Sequence, residues 1–84
     1  MIERLGTGGQ WCRNRKYVNG KQWLTKDSVE ECVVFCVNLE ARFWMYKPVM
    51  MHTNCACCEE HTDWIQAPKS SGVEVYQRVL SKIS

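Results

Sequence analysis

Residues 54–61 read Asn-Cys-Ala-Cys-Cys-Glu-Glu-His, which puts Cys55, Cys57 and Cys58 within four positions and His61 close behind. Such a cluster is either a thiolate and imidazole nest for a metal or one end of a disulfide framework. The counterpart lies upstream, in Ser28-Val-Glu-Glu-Cys-Val-Val-Phe-Cys36. Ser28 followed three residues later by Glu31 is a capping box. Asp27, Glu30 and Glu31 put negative charge where the helix dipole favours it. Val29, Cys32, Val33 and Cys36 recur at helical spacing. Together they predict a helix over residues 28–40. Cys32 and Cys36 then share one helix face, roughly 6 Å apart along the axis. On a strand, Cys55 and Cys57 also share one face, roughly 6.6 Å apart. The matching spacings let a helix lying on a sheet be stapled to it twice. Either helix cysteine can take either strand cysteine. Cys58, pointing to the opposite face of the strand, is left to pair with Cys12.

The metal alternative draws on Cys55, Cys57, Cys58, His61 and His52. Zinc sites typically use C-x2-C or C-x4-C pairs in two separated knuckles, and C-x-C-C is neither. Met50 and Met51 beside His52 suggest copper, but adjacent methionines are more often gap-fillers in a core. The balance favours disulfides, with no metal and no cofactor. A small Cys/His metal-binding protein is the alternative, and it would show free thiols and a metal-dependent fold.

Size and composition agree. A chain of 84 residues buries a limited core and needs another source of stability. Six cysteines, an even count in a short chain, suit a disulfide-rich extracellular domain. A net charge of +2 with pI near 8.3 is too mild to indicate nucleic-acid binding. No apolar run approaches the ~20 residues of a membrane span. The first six residues, Met-Ile-Glu-Arg-Leu-Gly, lack the apolar centre of a signal peptide, so secretion implies a signal removed from this sequence.

Residues 1–10, with three glycines, read as a flexible N-terminal arm, and residues 11–84 as a single domain. Asn19-Gly20 marks a tight turn, with a short extended piece at residues 22–24 after it. Residues 42–47, Arg-Phe-Trp-Met-Tyr-Lys, read as an aromatic strand ended by Pro48. Residues 53–58 read as a second strand, 59–72 as mostly loop, and 73–79 as an alternating strand. In the last of these, Val73, Val75 and Val79 share one face and Glu74, Tyr76 and Arg78 the other. The back of the helix carries Val34, Phe35 and Val37. It is either covered or a surface for weak self-association.

The N-terminal cysteine, the capped helix SVEECVVFC, the strand RFWMY, the Cys-rich strand and the terminal GVEVYQ together resemble the PAN/apple module, over about residues 11–79. The resemblance implies an α+β fold, with one short helix packed on an antiparallel sheet and cross-linked to it by disulfides. It also implies an extracellular or cell-surface module that binds proteins or carbohydrates. The stretch from CRNRKY to EECVVFC is similar to leech anti-platelet and collagen-binding proteins of this fold. That likeness implies the alternative function, a secreted effector or inhibitor that blocks a host protein. The chain departs from the family pattern in having no cysteine at residues 39–42 and an additional one in the CACC run.

Catalysis finds little support. His52 and His61 flank the CACC run, but a catalytic cysteine needs a free thiol beside a positioned histidine. Asp63 near His61 and the Glu59-Glu60 pair are common surface patterns. Gly6, Gly8 and Gly9 follow no strand that would make them a phosphate loop. The candidate ligand-binding residues are Arg13, Arg15, Lys16 and Tyr17, with Trp11 alongside. Three cations in four positions suit a sulfated glycan or an acidic protein patch, although a short basic run is more often a solvated edge. Trp64 is a second candidate, either an exposed anchor for sugar or protein or a lid over the core.

Overall fold

The computed structural model describes residues 2–7, 9–68 and 72–78. In chain order the elements are β1 (Ile2–Thr7), β2 (Gln10–Cys12), α1 (Val29–Asn38), β3 (Phe43–Tyr46), β4 (Cys55–Cys57), β5 (Trp64–Gln66) and β6 (Glu74–Arg78). Strands β1, β6, β3 and β4 form, in that order, a four-stranded antiparallel sheet. β2 and β5 form a separate antiparallel ribbon. The fold is a small α+β domain with one helix packed on antiparallel sheet and three disulfides.

Strand alternation organises both sides of the sheet. Trp44 and Tyr46 of β3, Cys55 and Cys57 of β4, and Tyr76 of β6 belong to one buried cluster with Cys32 and Cys36 of α1. The intervening residues, Met45, Ala56, Val73 and Val75, belong to the other cluster, with Cys12 and Cys58 and the half-buried Trp11, Trp23, Phe43 and Trp64. The helix thus covers one face and the ribbon the other. The expected division of residues 73–79 holds where it is described: Val73 and Val75 are buried together, and Tyr76 packs with the opposite cluster. Val79 lies outside the described residues.

The disulfides follow the same alternation. Cys32 joins Cys55 and Cys36 joins Cys57, with Cα–Cα separations of 5.7 and 5.4 Å. Cys12 joins Cys58 across 5.9 Å. Cys57 and Cys58 are chain neighbours facing opposite ways, so one peptide unit carries the bonds to both covering layers. The helix–strand pairing that spacing left open is first with first and second with second, so α1 and β4 run the same way. Three disulfides are typical of extracellular proteins. Among the described residues no helix is long and apolar enough to cross a membrane.

α1 begins at the predicted cap. Ser28 Oγ accepts from the Glu31 N–H at 3.3 Å, and Glu31 Oε2 accepts from the Asp27 N–H at 2.8 Å. The helix stops two residues before its predicted end, where Glu40 turns left-handed at φ 60°. The Ala41 N–H then reaches Cys36 O at 3.0 Å and the Glu40 N–H reaches Val37 O at 2.9 Å, a Schellman closure. Glycine is the residue suited to that position. Glu40→Gly is therefore expected to raise stability by about 1 kcal/mol, read as a higher urea midpoint. On the helix back, Val34 is exposed, while Phe35 and Val37 pack into the helix-side cluster.

Two stretches differ from the sequence expectation. The supposed arm, residues 1–10, contains β1, which pairs with β6 through a register shift between Arg4 and Gly6, and the first residue of β2. Residues 59–72, read as mostly loop, hold the three-residue strand β5, which pairs with β2. Neither strand has the apolar alternation that would announce it.

Candidate ligand-binding site

The outer edge of β4 is not left open. The Lys16 N–H donates to Cys57 O at 2.8 Å, the Leu24 N–H to Cys55 O at 2.7 Å, and the Cys55 N–H to Leu24 O at 2.9 Å. Residues 13–26 are thereby anchored along the most heavily cross-linked strand of the domain. Between the anchors the chain reverses at Asn19-Gly20, both with positive φ (52° and 79°), as a two-residue hairpin turn requires. Val18 and Lys21 exchange backbone hydrogen bonds at 2.9 and 3.0 Å across it. A groove of about 700 Å³ lies along this segment, lined by Tyr17, Lys21, Gln22, Trp23, Lys26 and Thr53 among others.

At one end of the segment stands a compact aromatic and cationic cluster. The rings of Trp11 and Trp23 lie 5.4 Å apart, tilted by 55°. The Arg15 guanidinium sits 5.8 Å from the Trp11 ring and 5.5 Å from the Trp23 ring. Lys47 Nζ approaches the Trp23 ring to 3.9 Å and the Trp11 ring to 5.6 Å. Arg15 is also tethered: Nη1 donates to Cys12 O at 2.8 Å, and Nε and Nη2 both donate to Gln22 Oε1 at 3.4 and 3.3 Å. Gln22 in turn donates to the Tyr17 hydroxyl at 2.9 Å. Among the described residues neither cation has a carboxylate partner.

Burial lowers the pKa of Arg15 from its usual value. Burial, followed by repulsion from Arg15, does the same to Lys47. A base whose folded pKa lies below its unfolded value binds fewer protons when folded. Its charge therefore opposes folding below the folded pKa, and that penalty is relieved as pH rises towards the unfolded value near 10.5. The expected observation is a Lys47 ammonium that titrates below 10.5 when followed by the side-chain carbon shift in NMR, with stability rising through that window.

The sequence candidates are thus divided. Arg15 and Trp11 enter the cluster, and Tyr17 touches it through Gln22 while remaining 69% exposed on the groove. Arg13 is exposed, and its backbone N–H is held by Asp63 O at 2.8 Å. Lys16 is half-buried beside the β4 edge. Trp64 lies elsewhere, half-buried and packed edge-on against Phe43 at 5.3 Å beside the ribbon-side cluster. Trp23 and Lys47 were missed. The signal for Lys47 was available: it falls two residues after Met45 and four after Phe43, so alternation puts it on the ribbon side of β3.

The sulfurs of Cys32, Cys36 and Cys55 lie within 4.8 Å of one another, a spacing that resembles a metal nest. All six cysteines are disulfide-bonded, so two adjacent disulfides account for this cluster, and no free thiol remains for a nucleophile. His52 and His61 are both exposed. No family model matches the chain, and comparisons with curated proteins and with solved structures gave no match either.

Proposed function

We propose that this chain is a non-catalytic extracellular recognition module of the PAN/apple kind, binding a protein or carbohydrate ligand through the face built by residues 13–26. The observation that carries the reading is the pair of half-buried cations, Arg15 and Lys47, held on Trp11 and Trp23 without a carboxylate partner among the described residues. Ammonium and guanidinium groups left uncompensated at a half-dry surface favour an incoming acidic group. The frame supports it, because three disulfides hold the loop face in place and reduce the ordering cost of binding. Secretion fits the same disulfides.

The test is to screen the oxidised protein against panels of glycans and extracellular proteins. The charge reversals Lys21→Glu and Lys26→Glu, made together at two residues lining the groove, probe this face. A specific ligand whose binding the reversal weakens supports the proposal. Panels with no ligand, or a ligand indifferent to the reversal, would sink it.

A further inference from the structure

We propose that Arg15 and Lys47, seated on Trp11 and Trp23, form a subsite for one oxyanion carried on a saccharide. This deepens the recognition reading and rests on it. The first argument is electrostatic. Both cations lie over the same ring pair, repel one another, and have no carboxylate partner among the described residues. A single anion between them removes that repulsion and pairs with both.

The second argument is a count of donors. A guanidinium has five N–H groups. Three of those on Arg15 are engaged by Cys12 O and Gln22 Oε1, leaving one on each Nη. Lys47 has three, none of them in a hydrogen bond among the described residues. An oxyanion with two or three free oxygens can use this set, one cation acting as a fork and the other as a movable point charge.

The third argument selects the carrier. A peptide that binds by strand addition needs an open sheet edge. Here the β4 edge is already taken by Lys16 and Leu24. Strand addition to β4 is therefore blocked, which leaves the side chains of this face as its main recognition elements. Trp23 reaches from the cluster into the groove, where Tyr17, Gln22, Thr25 and Thr53 present hydroxyl and amide groups. Half-buried indole faces beside such groups suit a sugar ring, which stacks through its C–H groups and hydrogen-bonds through its hydroxyls.

The experiment titrates the oxidised full chain, by calorimetry and tryptophan fluorescence, with four probes. These are a sulfated glycosaminoglycan oligosaccharide, its fully desulfated carboxylate form, a neutral oligosaccharide of equal length, and a poly-glutamate peptide. Lys47→Met keeps the aliphatic stem over Trp23 and removes the charge, while Lys47→Arg restores it. The expected result is binding of an anionic saccharide with a change in indole fluorescence. Affinity should fall about ten-fold in Lys47→Met and recover to within about three-fold in Lys47→Arg, the size of one charge-assisted contact. On saturation the Lys47 pKa should rise in the native protein, a readout independent of any variant. Loss of binding on desulfation identifies a sulfate ester, and retention identifies the sugar carboxylate. Equal affinity for the neutral saccharide, or unchanged affinity in Lys47→Met, overturns the subsite and leaves the recognition reading intact. Binding of poly-glutamate without any saccharide also overturns it, in favour of an acidic protein. Failure to bind any glycan or protein overturns both.

Discussion

Replacing Cys12 and Cys58 together by alanine is expected to lower stability by about 4 kcal/mol, the largest loss from any one cross-link in the domain. The estimate comes from the loop that the bond closes. It spans 46 residues, against 23 and 21 for the two helix staples. Chain-entropy reasoning then gives about 4 kcal/mol for the outer bond and about 3.4 kcal/mol for each inner one. A domain of this length has a total stability on the order of 4–13 kcal/mol, so the outer bond is a large share of it. It also ties the ribbon to the sheet, because Cys12 ends β2 and Cys58 follows β4. Urea denaturation of the double variant, in an oxidising buffer, reads the loss directly. A change below about 1 kcal/mol would mean that packing of Trp11, Trp23 and Trp64 holds the ribbon without the bond.

The second large effect belongs to Asn54, the one buried polar side chain among the described residues, at 2% exposure. Its Oδ1 accepts from the Lys26 N–H at 2.9 Å, and its Nδ2 donates to Lys26 O at 2.9 Å and to Met50 O at 3.1 Å. It therefore joins Lys26, at the end of the segment along β4, to the loop that follows Lys47. Asn54→Ala strands one N–H and two carbonyls, and the expected loss is about 3 kcal/mol. Asn54→Asp is the sharper probe. The carboxylate keeps the acceptor but turns an oxygen towards two carbonyls and buries a charge. At pH 7 it should be less stable than Asn54→Ala. The gap should close as pH falls and the buried acid, its pKa raised by this setting, takes up a proton and donates it. Urea midpoints of both variants across that range check the sign. An aspartate variant that is the more stable of the two at pH 7 would show that water reaches the site.

What could be read from the sequence was whatever is local. The Ser28–Glu31 cap, the four-residue step between Cys32 and Cys36, the two-residue step between Cys55 and Cys57, and the Asn19-Gly20 turn all rest on spacing within one element. The opposite facing of Cys57 and Cys58 followed from the same period and led to Cys12. The rest depends on partners distant in the chain. β1 and β5 are strands because β6 and β2 lie beside them, not because Ile2–Thr7 or Trp64–Gln66 have strong patterns. The basic run misled in a related way. Arg13, Arg15 and Lys16 looked like one patch because they are neighbours in sequence, whereas the structure pairs Arg15 with Lys47, across the fold. Asn54 was passed over because its role rests on Lys26, 28 residues away in the chain, which no local pattern reveals.

The order of the six cysteines along the chain has one more consequence. Cys12, Cys32 and Cys36 all precede the exposed Val49-Met50-Met51 tip, and their partners Cys55, Cys57 and Cys58 all follow it. A protease that cuts at this tip therefore releases nothing. It converts one chain into two, joined by three covalent bonds, with helix and sheet still stapled together. Backbone continuity between residues 37 and 54 is thus dispensable for keeping the halves together, and the domain can be nicked at this exposed apolar loop without coming apart.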